Sequence, residues 1–124
     1  MRLKRNKLRT FYHRAAIPSK DSEGNSYMEY GPPFSFEAEE WPGGGKHQTE
    51  MYGIRLPNIR NIRIEGNYKE MVGVTGTVGF VVNDGLMFTV NDGICLYTDE
   101  QGEPDYKIVA IYPYRFLTME LERI

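Results

Sequence analysis

The chain has 124 residues, 40% hydrophobic and 26% charged, the size and composition of one small globular domain spanning residues 1–124. A chain of this length buries about two-thirds of its unfolded surface, too little for the layered interior of a large cofactor enzyme. No apolar run approaches the roughly 20 residues of a membrane span, and the charged opening Met1 to Lys7 is not followed by the apolar stretch of a signal peptide. The expectation is a soluble protein made in the cytoplasm. Cys95 is the one cysteine and His13 and His47 the two histidines, so no internal disulfide, structural zinc site or other cofactor is expected.

The net charge of −2 conceals an asymmetry. Residues 1–20 carry seven basic side chains and no acid, whereas residues 21–124 carry eight basic against seventeen acidic, a balance of −9. Residues 1–14 thus read as a basic arm on an acidic body. Arg2, Lys4, Arg5, Lys7, Arg9 and Arg14 are its candidate contacts to a neighbouring subunit or to DNA. The acidic body of a second copy needs fewer assumptions than phosphate, because a DNA-binding domain usually carries positive charge on its folded body as well. The plainest alternative is an edge strand kept soluble by its charges.

Residues Lys7 to Arg14 are β-compatible and aromatic and read as a strand. Asp21 to Ser26 is turn chemistry that closes a hairpin onto the next strand. After Gly31-Pro32-Pro33, the segment Phe34 to Glu39 places Phe34, Phe36 and Ala38 on one face and Ser35, Glu37 and Glu39 on the other. Residues 42–58 read as a long mobile loop, with Gly43, Gly44, Gly45, Lys46, His47, Gln48 and Thr49 at its centre, because three consecutive glycines lose much entropy in any regular element. Met51, Ile54 and Leu56 fit neither a clean helix nor a clean strand.

Ile62 and Ile64 alternate with Asn61 and Arg63 in a further strand, and Asn67 to Gly76 reads as loop. Thr77 to Val82 and Leu86 to Val90 flank Asn83-Asp84-Gly85, a hairpin signal. Asn91-Asp92-Gly93 leads into Ile94 to Tyr97. Two strands follow a polar turn: Tyr106 to Tyr112, with Tyr106, Ile108, Ala110 and Tyr112 on one face, and Phe116 to Glu122, with Leu117, Met119 and Leu121 inward. The fold class expected is all-β, a small antiparallel barrel or sandwich of about seven or eight strands.

Several chemical signals fail on inspection. Gly43-Gly44-Gly45-Lys46 lacks the earlier glycine and the following Ser or Thr of a phosphate loop, with Glu40 and His47 in those places. Cys95 could pair with His13 or His47 as nucleophile and base, but its run Ile94 to Tyr97 suits a small packed group better. Glu39 and Glu40 are adjacent on a strand and therefore point to opposite faces, unlike paired glycosidase carboxylates. Tyr106, Tyr112, Tyr114 and Phe116 could stack bases, yet only Lys107 and Arg115 are interleaved with them, so a barrel core and rim is the simpler account. No catalytic residue is nominated, and the chain is not expected to be an enzyme.

The basic opening Met1 to Arg14, the turn at Asp21 to Gly24, Phe36 to Pro42 leading into a glycine-bearing segment, Glu50 to Gly53, Asn61 to Gly66, Asp92 to Tyr97, and Asp105 to Ile108 before a closing amphipathic strand occur in an order and spacing that resembles the head-closure, or head-tail joining, proteins of long-tailed bacteriophages and prophages. The resemblance covers nearly the whole chain. It implies a small β-barrel forming a homo-oligomeric ring below the portal and adaptor, a structural part of the virion assembled in the bacterial cytoplasm. Such a ring joins tail to head, contacts tail-terminator proteins, and helps retain packaged double-stranded DNA passing through its channel. It also implies a loop projecting toward the channel, for which Gly43 to Thr49 is the matching segment. The alternative function is a nucleic-acid-binding barrel that uses the basic arm.

Overall fold

The computed structural model describes residues 7–73, 76–83 and 85–124. Among them, β1 (Leu8–Arg14) is followed by β2 (Ala16–Lys20), β3 (Ser26–Tyr30) and β4 (Phe34–Pro42). Helix α1 (Gly45–Tyr52) and a 3-10 helix (Gly53–Asn58) lead to β5 (Ile59–Ile64), β6 (Tyr68–Val72), β7 (Val78–Val82) and β8 (Leu86–Thr89). The chain closes with β9 (Gly93–Cys95), β10 (Tyr106–Pro113) and β11 (Leu117–Arg123).

Six strands form a closed antiparallel barrel in the order β1-β4-β5-β11-β10-β9, with β9 returning to β1. The all-β expectation is therefore met. Closure removes the unpaired edges an open sheet would leave. Register explains why these sequences line the wall as they do: Phe11 lies opposite Phe36, Arg9 opposite Ala38, Met119 opposite Ile62 and Leu117 opposite Ile64. Each such pair shares a face, and the apolar ones point inward, with Phe11, Ala38, Ile62, Ile94, Ile108, Leu117, Met119 and Leu121 all buried.

Two extensions leave the barrel. The hairpin β2-β3 turns through Asp21 to Asn25, where the Asp21 carboxylate accepts from the backbone N–H groups of Glu23 and Asn25. The meander β6-β7-β8 lies at the same end of the barrel, beside the hairpin, and its Phe80, Val82 and Phe88 join the buried cluster. Asn83 adopts the positive φ of 52° that its turn requires; Asp84 lies outside the described residues.

Three expectations are corrected. The segment read as a loop over 42–58 is mostly helical, and its three glycines do separate jobs. A Cβ on Gly43 would lie 2.8 Å from the carbonyl oxygen of Ile59, so glycine lets the end of β4 press against the start of β5. Gly44 is extended, and its N–H is accepted by the Gln48 side chain; Gly45 takes φ +82° to enter the helix. The seven residues after Gly45 are mostly good helix formers. Eight residues are too few for an isolated helix, so packing of Tyr52 against the barrel holds it.

The second correction concerns Asn67 to Gly76, where Tyr68–Val72 forms a strand, because Tyr68 and Met71 pair with β7. In the third, β10 does not alternate along its whole length. A bulge between Ile108 and Ala110 shifts the register. Beyond it Ile111 packs on the core opposite Met119, and Tyr112 turns to the outer wall opposite Thr118.

Candidate functional site

Polar chemistry is concentrated in three places on this barrel. The first is internal. The β1-β9 register sets His13 opposite Ile94 on the inner wall, where His13 Nε2 donates to Asp92 Oδ2 at 2.6 Å, both groups almost fully buried. Among the described residues His13 Nδ1 has no hydrogen-bond partner, and the ring meets Phe88 edge-on at 4.7 Å. Asp92 also accepts from the N–H of Ala16 and from the N–H and hydroxyl of Thr89, each at 2.9 Å. Burial alone would push the Asp92 carboxyl up, but the hydrogen bonds from His13, Ala16 and Thr89 together with the charge of His13 outweigh it and hold the carboxyl below its ordinary value. With its acceptor positions occupied, Asp92 works as a clamp joining β1, the start of β2 and the end of β8.

Cys95 lies opposite Tyr12, one rung from His13, so the two side chains leave opposite sides of the wall. They do not form a nucleophile and base pair. The thiol is buried, which raises its pKa, and it contacts the Gly102 carbonyl at 3.8 Å.

The second place is the end of the barrel where β1 begins and β4 finishes. The Glu40 side chain is 4% exposed, although it stands near the end of β4. It accepts from Arg60 Nε at 2.8 Å, from Arg9 Nη1 at 3.2 Å and from the Tyr97 hydroxyl at 2.5 Å. Burial and the bond to Glu40 push the Tyr97 phenol up to about 12. Glu39, as expected of its neighbour, faces the other way and pairs with Arg63 at 3.0 Å.

The third place lies on the outer wall beneath α1. Glu120, Asn61 and Trp41 form one row across β11, β5 and β4. Glu120 is 2% and Asn61 4% exposed. Gln48 binds them from above: its amide N–H donates to Asn61 Oδ1 at 2.6 Å and to Glu120 Oε2, while its carbonyl accepts from Asn61 and from Gly44. The Tyr112 hydroxyl donates to Glu120 Oε1 at 2.5 Å. The bond to Glu120, followed by burial, raises the Tyr112 phenol strongly; burial first and then Glu120 raise Tyr52 to about 12. Trp41, His47, Tyr112 and Tyr114 complete a groove of about 270 Å³, with the Tyr112 and Tyr114 rings stacked at 5.5 Å and 8°.

The residues singled out in the sequence are scattered among these places. Arg2, Lys4 and Arg5 lie outside the described residues. Lys7 is exposed just before β1, and Arg9 is spent partly on Glu40. Arg14 is bound within the chain, donating to the carbonyls of Gly31, Gly102 and Tyr30. Of the segment 43–49, Lys46 is exposed, His47 stands at the groove, and Gln48 is its central hydrogen-bonding residue. Glu120, Asn61 and Tyr112 were not singled out as a group. Glu120 occupies a polar position on a clean alternating strand, and only the helix folded over it makes it buried. Among the described residues, no group of three His, Cys, Asp or Glu side chains could hold a metal ion, and no helix is long and apolar enough to cross a membrane. No family model matches the sequence, and no curated protein or solved structure matches it.

Proposed function

We propose that the chain is a structural subunit of the head-tail connector of a long-tailed phage or prophage, one member of a ring that joins tail to head and helps retain packaged DNA. The observation that carries the reading is the pair of β extensions. Ile17, Tyr27 and Met28 on the β2-β3 hairpin, Met71, Val72 and Val78 on the meander, and Val90 just after it are each between 42% and 67% exposed. Ala16, Pro18, Met28, Met87 and Val90 line a groove between the two extensions.

Large apolar side chains gathered on projecting strands mark surfaces that are covered in an assembly. Among the described residues the hairpin pairs with no third strand, and an unpaired edge can accept a strand from a neighbour. A contact between different faces of identical subunits closes into a ring when the rotation permits. The excess of acid over residues 21–124 suits a wall past which DNA slides without sticking. In this reading α1 is part of the wall, held there through Gln48 and Tyr52, and the ring contacts fall on the extensions. Filled, tail-less heads made with and without the protein and viewed by electron microscopy test it. Heads lacking it should lose DNA and fail to accept tails; heads that keep their genome and join tails equally well would overturn it.

A further inference from the structure

Arg63 shows what this outer wall does with a guanidinium. It pairs with Glu39 and lies over the rings of Trp41 and Phe116 at 5.6 and 5.4 Å. Two residues along the same wall, Glu120 stands in the row of Trp41 with Tyr112 and Tyr114 beside it. The ingredients recur, a carboxylate among aromatic faces, but the donors to Glu120 are the uncharged Gln48 and Tyr112. Among the described residues no cation comes within ion-pair distance of it.

Burying an ionised carboxylate without an opposite charge is costly. A carboxylate offers about four acceptor positions, and the two neutral donors do not fill them. Tyr114 is 61% exposed and stacked on Tyr112, so it presents a flat, solvent-facing ring. A group that is positive, planar and able to give one hydrogen bond satisfies all of these at once.

We propose that the groove between α1 and the barrel is a binding site for an arginine side chain presented by a protein partner, its guanidinium stacked on Tyr114 and directed at Glu120. The inference does not depend on the connector reading and is tested on the isolated full chain. Trp41, the single tryptophan, lines the groove and reports occupancy by its fluorescence. Titration with N-acetyl-arginine methylamide should change that fluorescence saturably, whereas the uncharged citrulline counterpart should not. Glu120→Gln should weaken binding at least about tenfold, as loss of a charge-assisted contact predicts, with circular dichroism confirming the fold. Tyr114→Ala removes an exposed ring and should weaken binding severalfold with the carboxylate intact. Equal responses to arginine and citrulline, no saturable response to arginine, or unchanged binding in both variants would each overturn the proposal.

Discussion

Glu40 and Glu120 are both withdrawn from water, one at the open end of the barrel interior and the other on its outer wall under α1. Glu40 receives two arginines and a tyrosine from within the chain. Glu120 receives a tyrosine from its own sheet and an amide from the helix, both uncharged. A buried pair is costly to break because the remaining charge is stranded, whereas neutralising a charge that has only neutral donors strands nothing. The first carboxylate is thus built into the fold. The second keeps its charge available to something outside it.

The largest effect that could break this contrast is Arg60→Ala, which leaves buried Glu40 with the Tyr97 hydroxyl and the more exposed Arg9. It should cost about 2–3 kcal/mol in urea unfolding, somewhat under the value for a fully buried pair because Arg60 keeps some contact with water. A loss no larger than that of Glu120→Gln would erase the distinction. Tyr97→Phe comes next, at about 0.5–1 kcal/mol, kept small because Tyr97 is half-exposed. Its pH dependence sharpens the comparison. The phenols of Tyr97 and Tyr52 are raised to about 12 in the fold, so each contributes stability that is complete below the unfolded value near 10. That stability is lost as pH rises from there through about 12. Ultraviolet titration of tyrosinate should show both phenols ionising after the exposed tyrosines, and Glu120→Gln should bring Tyr52 and Tyr112 forward while leaving Tyr97 in place. The smallest effect is that of Glu120→Gln on stability itself, expected within about 1 kcal/mol of zero by thermal unfolding.

The barrel was largely legible because its signal is local. Alternation in Phe34 to Ala38, Ile62 to Ile64 and Leu117 to Leu121 named the inner wall that the register shows. The site beneath α1 was not, for three physical reasons. Glycine was read as a source of flexibility, whereas Gly43 is required by a backbone approach to Ile59 that lies sixteen positions away. The short helix draws its stability from tertiary contact through Tyr52 and Gln48, which no window of sequence contains. Glu120 looks like any outward glutamate until that helix is placed over it. The Asn83 and Asp92 turns were legible as turns, but the clamp from Asp92 to His13 spans most of the chain and leaves no local trace.

The bulge in β10 makes the outer groove a matter of counting. Were Val109 paired in a regular ladder instead of bulged out between Ile108 and Ala110, Tyr112 would return to the core side and Ile111 would face outward, with no side chain altered. Deleting Val109 should therefore leave Tyr112 opposite Thr118 and on Glu120, whereas inserting one residue between Ala110 and Ile111 should turn the tyrosine to the core side. In this wall, chain length between two fixed points is itself a coded instruction, and it is one that a comparison of residue types alone would pass over.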